Sequence, residues 1–278
     1  MSFERVLVVG AGQMGAGIAQ VFAASGRRVV LHDSAPGAAE RGLDAMRKSL
    51  ERLAGKGQDV DVEDVLARVE AVDDLAEADL MVEAVVEDAA VKEDVFRRAD
   101  EMLPEGAILA SNTSSIPIAS LAAVTARPDR VVGMHFFNPV PVMALVEVVR
   151  GPETSEATVQ AVVALAEELG KTPAQVNDFP GFVSNRILMP LVNEAAYALQ
   201  DGVAEAEAID TIAMLGFNHP MGPLALADLI GLDTCVAIMD VLHRGLGDPK
   251  YEPCPLLREH VAAGRLGRKS GRGFYEYA

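Results

Sequence analysis

Eight short β-branched runs fall within the first 177 residues, and beyond them almost no strand signal is left. They are RVLVVG (5–10), RRVVLHD (27–33), RVEAV (68–72), LMVEAVV (80–86), AILASN (107–112), RVVGMHFF (130–137), LVEVVR (145–150) and PAQVN (173–177). Apolar runs this continuous suit strands buried on both faces, and helical stretches lie between many of them. The arrangement that satisfies both is a doubly wound α/β domain, a mostly parallel sheet covered by helices on each side. Between the second and third runs, about 37–67, there is more helix than one crossover needs, which reads as a helical hairpin insertion.

The character changes near NDFPGF (177–182). Helices fit 181–200, 204–215, 222–244 and 255–263, with Gly- and Pro-bearing connections between them. The expected organisation is therefore 1–179 as the α/β domain and 180–278 as a smaller all-helical domain. The stretch 222–244 is apolar on too many faces for a surface helix. It belongs at the centre of that domain, at a subunit interface, or both.

Charge narrows the partners. The chain carries 41 acidic against 24 basic residues, a net charge of -17, which repels nucleic acid and anionic membranes as global partners. The longest late apolar stretch, PLALADLIGLDTCVAIMDVL, holds Asp228, Asp233 and Asp240 and is a poor membrane span. Cys235 and Cys254 form no CxxC and imply neither a zinc site nor a disulfide framework. The N-terminal FERVLVVG reads as a strand rather than a signal peptide. A soluble cytoplasmic protein is expected.

VLVVGAGQMGAGIAQ places Gly10, Gly12 and Gly15 in a GxGxxG directly after a strand and directly before a helix. The first glycine permits a tight turn, the second lets backbone approach a pyrophosphate, and the third lets helix and strand pack closely. The helix N-terminus then receives the anion. Asp33 ends the next strand, 18 residues after Gly15, where an acid can accept ribose hydroxyls and repel a 2′-phosphate. NAD is the expected cofactor, ahead of NADP and FAD. The plainer alternative is a glycine turn beside a solvated Asp.

GMHFFNPVPVMALVEVV (133–149) holds a lone histidine, a proline-bearing bend, and a lone glutamate inside an apolar run. Asn138, Pro139 and Pro141 force a turn, so the two strands can fold back and bring Glu147 to His135. A carboxylate on one imidazole nitrogen fixes the tautomer and leaves the other nitrogen as a base. The alternative is a satisfied core histidine and an unrelated glutamate. Ser114, in SNTSS (111–115), either donates to a substrate oxygen or belongs to a set of residues capping a helix at 116–123. Glu87 ends the fourth run, near the cofactor or capping the next helix, and Lys92 reads by default as a solvated helix residue. Arg47, Lys48, Arg52 and Lys56 form a basic cluster that either holds a phosphate-rich handle or is a solvated helix face.

Taken with SNTSS, HFFNPVPVMALVEVV, FPGFVSNRI and the closing GRKSGRGFYEY, the chain resembles the 3-hydroxyacyl-CoA dehydrogenase family along essentially its whole length, most of all the short bacterial 3-hydroxybutyryl-CoA dehydrogenases. The resemblance implies a Rossmann-like domain, a helical dimerisation domain, a pantetheine thioester in the cleft between them, and NAD-dependent oxidation of an (S)-3-hydroxyacyl-CoA. His135 resembles the family's catalytic base and Glu147 its partner. Ser114 matches a serine contacting substrate and cofactor, and Asn185 an asparagine near the histidine. Gly10, Ala11, Gly12, Gln13, Met14, Gly15, Asp33, Glu87, Lys92, Asn138 and Lys269 match positions that contact NAD. Ser49, Lys56 and Lys92 match positions that contact CoA. Two rival readings stand beside this one: a dehydrogenase of a free hydroxy acid such as L-gulonate or carnitine, and a non-catalytic NAD-binding structural protein.

Overall fold

The structure is a computed structural model and describes residues 3–277. The chain divides into two compact units, Met1–Phe179 and Pro180–Ala278.

In the first unit eight strands form one sheet: β1 (Arg5–Val9), β2 (Arg28–His32), β3 (Val69–Val72), β4 (Leu80–Glu83), β5 (Ile108–Ser111), β6 (Val131–Phe136), β7 (Leu145–Arg150) and β8 (Thr172–Asn177). Their order is β3-β2-β1-β4-β5-β6-β7-β8. Every neighbouring pair is parallel except β6–β7, which is antiparallel. The helices are α1 (Gln13–Ala24), α2 (Ala38–Gly55), α3 (Val62–Leu66), α4 (Ala89–Met102), α5 (Ile118–Ala122) and α6 (Glu156–Glu168).

Strand composition follows position. Every residue of β4, β5 and β6 is buried, whereas the outer strands β3 and β8 are only partly covered. Pro173 is tolerated in β8 because an outer strand has a neighbour on one side only. The helix ends are set locally: Asp61, Asp88 and Ser155 accept from the N–H groups of Asp64, Val91 and Thr158 and so cap α3, α4 and α6. The insertion after β2 consists of α2 and α3, and Ala39, Met46, Leu50 and Val65 join the same core as Ile18 and Phe22 of α1.

Strand order reverses at β1, which lies between β2 and β4. The chain leaves β1 and β4 in opposite directions there and opens a crevice at their carboxyl ends, the usual ligand position in such sheets.

The second unit holds α7 (Ser184–Gln200), α8 (Ala206–Gly216), α9 (Pro223–Ile230), α10 (Leu232–Leu246) and α11 (Pro255–Ala262). The single helix expected over 222–244 is two helices. Gly231 separates them at φ +105°, a conformation closed to other residues without strain. Leu232, Cys235, Met239 and Leu242 of α10 are buried in this unit's own core together with Met189, Val192 and Leu257. Two buried aspartates fix the C-terminal tail. Asp210 accepts from the N–H groups of Leu224 and Ala225 and from the Tyr275 hydroxyl; Asp228 accepts from the N–H groups of Phe274 and Tyr275 and from the Tyr277 hydroxyl. Among the described residues no helix is long and apolar enough to cross a membrane.

Candidate active site

The glycine loop shows what each glycine does. Gly10 sits at φ +100°, and a Cβ there would lie 2.5 Å from the Ala84 carbonyl oxygen. At Gly15 a Cβ would lie 1.7 Å from the Gly10 oxygen, so α1 can cross β1 only without a side chain. At Gly12 a Cβ would meet nothing within 4 Å. That open space fronts the start of α1, whose N-cap makes no side-chain bond and whose first turn holds no acid. The unpaired N–H groups there suit a pyrophosphate. Asp33 is already turned to the loop: its carboxylate accepts from Ala11 N–H at 2.7 Å and from Ala35 N–H at 2.9 Å. The residues present therefore fit a dinucleotide.

Asn138 ties the bend after β6 to this loop, its Oδ1 accepting from the Gln13 amide at 3.1 Å. Both residues, with Ser49 and Arg52 of α2, line a groove of about 260 Å³. Lys171 secures the same bend, donating to the Val140 and Met143 carbonyls at 2.6 and 2.8 Å. Burial lowers its pKa, with no carboxylate to offset the effect.

His135 and Glu147 stand directly opposite each other on the antiparallel pair β6–β7. His135 Nδ1 and Glu147 Oε2 are 2.8 Å apart, and both side chains are buried. An ionised Glu147 accepts the Nδ1 hydrogen, so the lone pair stays on Nε2. Nε2 lies 3.0 Å from the Ser114 hydroxyl. Carboxylate, imidazole and hydroxyl thus form one line, with the basic nitrogen on the side of the SNTSS loop. Phe137 packs against the imidazole at 4.7 Å between ring centres, and Asn112 Oδ1 holds the end of β6 by accepting from Phe136 N–H at 2.9 Å.

Beneath that loop lies a second group of charges. β4 ends on Glu83, not on Glu87, and Glu83 pairs in register with Ser111 of β5. Glu83 is fully buried. Its Oε1 accepts from Lys92 Nζ at 2.6 Å and Val85 N–H at 2.7 Å, and its Oε2 from the Ser111 hydroxyl at 2.6 Å. Burial raises the Glu83 pKa, and the Lys92 charge offsets only part of the rise. Lys92, expected in solvent, is 1% exposed and faces both Glu83 and Glu87, the latter at 3.3 Å. Glu87 Oε1 accepts from the Thr113 hydroxyl at 2.6 Å and from Ser114 N–H, Ser115 N–H and the Ser115 hydroxyl at 2.9 Å each. Partial burial pushes the Glu87 pKa up, but the Lys92 charge and these hydrogen bonds outweigh it and leave the pKa below the usual value.

Two capping expectations change. α4 is capped by Asp88 rather than Glu87. α5 receives no serine cap; Asp178 Oδ2 accepts from its Ala119 N–H at 2.8 Å. Of the basic cluster, Arg47 is taken by an ion pair with Glu63, while Lys48, Arg52 and Lys56 are exposed. Asn185 and Lys269 belong to the second unit: Asn185 is buried in the first turn of α7, and Lys269 holds Asp233 at 2.6 Å.

Glu83, Asn112, Lys171 and Asp178 escaped the sequence reading. Glu83 carries the same signal as Glu147, a lone carboxylate in an apolar run (LMVEAVV). The other three bond to backbone, which leaves no mark in spacing.

Residues 5–179 match the family described as "3-hydroxyacyl-CoA dehydrogenase, NAD binding domain", and residues 181–277 match "3-hydroxyacyl-CoA dehydrogenase, C-terminal domain". The chain belongs to the 3-hydroxyacyl-CoA dehydrogenase family. It is 57% identical to a probable 3-hydroxybutyryl-CoA dehydrogenase of Bacillus subtilis, covering 100% of this chain and 98% of that one. It is 50% identical to a 3-hydroxybutyryl-CoA dehydrogenase of Bradyrhizobium diazoefficiens, over 99% of this chain and 95% of that one. Among solved structures, the (S)-3-hydroxybutyryl-CoA dehydrogenase of Ralstonia eutropha superposes with a TM-score of 0.95 at 50% identity, each chain covered in full.

Proposed function

We propose that this dehydrogenase oxidises (S)-3-hydroxybutyryl-CoA reversibly to acetoacetyl-CoA with NAD. The observation that carries the reading is the line Glu147–His135–Ser114, with a base nitrogen presented beside a hydroxyl at 3.0 Å.

NAD, when bound, supplies the acceptor for the hydride leaving C3. The chain's own residues do the rest. His135 Nε2 takes the proton of the 3-hydroxyl. Glu147 keeps Nδ1 protonated and offsets the charge that the imidazole gains. Ser114 holds the substrate oxygen next to Nε2, and Asn185 shares the positioning by its match to the family's asparagine. The glycine loop and Asp33 take the dinucleotide, with Glu87 and Asn138 near its nicotinamide end and Lys269 a further contact. Lys92 serves the site through the carboxylates it holds. The exposed cations Lys48, Arg52 and Lys56, with Ser49, form the CoA handle. They favour a CoA thioester over a free hydroxy acid, which needs no such handle.

Two broader features belong to the same reading. The protein acts as a homodimer through its second unit, where Ile212, Met214 and Leu215 of α8 are exposed apolar side chains. It works in the reducing cytoplasm, which suits two unpaired, buried thiols.

The test is turnover of acetoacetyl-CoA with NADH, run beside free acetoacetate. Turnover of the thioester alone is expected. Equal rates would move the reading to a free hydroxy acid, and absence of both would favour a non-catalytic NAD-binding protein.

A further inference from the structure

The proposed chemistry uses Ser114 and His135 but gives no role to Glu83, a carboxylate with no exposure at all. Burying a carboxylate and an ammonium together is costly unless their remaining hydrogen-bonding capacity is met. Here it is met on two sides: Glu83 accepts from Val85 N–H at 2.7 Å just beyond its own strand, and its other partners lead toward the SNTSS loop. Two routes lead there. By the first, Ser111 donates to Glu83 at 2.6 Å and accepts from Thr113 N–H at 3.1 Å. By the second, Glu83 holds Lys92 at 2.6 Å and Lys92 holds Glu87 at 3.3 Å. Glu87 then accepts from Ser114 N–H at 2.9 Å. Both routes end on the backbone at or next to Ser114, whose hydroxyl lies 3.0 Å from His135 Nε2. A hydrophobic pair in place of Glu83 and Lys92 would fill the same space but leave Ser111 and Glu87 without these partners.

We infer that Glu83 is a positioning residue for the reaction: through Ser111 and through the Lys92–Glu87 pair it fixes the loop that sets the Ser114 hydroxyl against His135. It touches neither substrate nor cofactor in this role. Its loss lets the loop drift, and a displacement of about 1 Å at a reacting group costs about 100-fold in rate.

The inference rests on the proposed dehydrogenase reaction, so its test has one arm with turnover and one without. Glu83→Gln strands the Lys92 charge and invites misfolding. The double variant Glu83→Gln, Lys92→Met removes both charges and keeps the volume, a change buried ion pairs tolerate. Either variant should lower kcat by about 10- to 100-fold. In a Ser114→Ala background the same change should cost less than about twofold, because a residue acting through Ser114 has nothing left to position. A loss that simply multiplies with Ser114→Ala overturns the inference, and so does full activity in the double variant. In the second arm the His135 ring nitrogens are followed by NMR in the cofactor-free protein. The double variant should shift Nε2 in the direction that Ser114→Ala does; an unmoved Nε2 resonance overturns the inference even if the chain proves to turn over no thioester. Inactivity of the unaltered protein would fault the reaction alone.

Discussion

His135 and Glu147 face each other across two antiparallel strands, so the sheet register itself holds the pair together at 2.8 Å. Glu147→Gln keeps the shape and the Nδ1 contact but removes the charge that offsets an imidazolium. It should lower kcat by roughly 100- to 10,000-fold, the scale of a disabled general base. NADH binding, read by fluorescence titration, should survive, since the glycine loop and Asp33 are untouched. His135→Gln should be as damaging, and the double variant little worse than the worse single. Near-normal turnover in Glu147→Gln would make Glu147 a structural carboxylate. This pair was legible in the sequence because both residues interrupt apolar runs on either side of a proline bend. Glu83 interrupts one too, but Glu87, four residues on, has the place of a helix cap and carries the same charge. What made Glu83 intelligible is Lys92 coming back to it from α4, and a helical lysine carries no mark of the direction it takes. Arg47 shows the converse: it belongs to a basic run in sequence but is neutralised by Glu63 of α3 in space.

At the scale of elements, the junction of β1 and α1 separates two requirements that one motif combines. Gly15 is a packing requirement, because its Cβ would sit 1.7 Å from a backbone oxygen. Gly12 has open space around it and so is no requirement of the fold. Gly15→Ala should therefore destabilise the protein, at the upper end of the about 1–3 kcal/mol typical of overpacking. Gly12→Ala should unfold at the unaltered temperature and yet bind NADH about tenfold more weakly, about 1.4 kcal/mol, because the added methyl occupies the pyrophosphate's approach. Thermal denaturation and NADH titration of both variants distinguish the two roles; equal melting losses in both would contradict this division. The strands were readable because buried parallel strands are continuous apolar runs. The division of the stretch 222–244 was not, since a single glycine in a helical pattern is ordinarily tolerated, and only its φ of +105° makes it a break. The caps of α4 and α5 were misplaced for a related reason: Asp88 competes with its neighbour Glu87, and Asp178 reaches α5 from a distant point in the chain.

For the whole molecule, the expected subunit interface has to be reconsidered. The apolarity of 222–244 is largely used within the second unit, because Leu232, Cys235, Met239 and Leu242 pack into its core. Leu229 is the one large apolar residue of that stretch left exposed among the described residues, and the rest of the unit's exposed apolar surface is elsewhere. α8 buries only Asp210 and Ala213 while Ile212 and Leu215 stand 56% and 82% exposed, and Ile187 on α7 is 68% exposed. Large apolar side chains turned outward on one helix make a surface suited to an interaction. A second copy of the chain is the occupant proposed above. Two copies with a net charge of -17 each repel one another, so the apolar contact must exceed that repulsion. Association should then tighten as salt is raised, since screening weakens the repulsion and leaves apolar burial in place. Light scattering at micromolar concentration should give twice the chain mass of 29.4 kDa. Leu215→Glu should shift the protein toward the single-chain mass, most clearly at low salt, and its circular dichroism should stay unchanged because the side chain has little of its own unit to disturb. A single-chain mass for the unaltered protein at every salt concentration would mean that α8 faces solvent or some other partner, and the dimer would have to be abandoned.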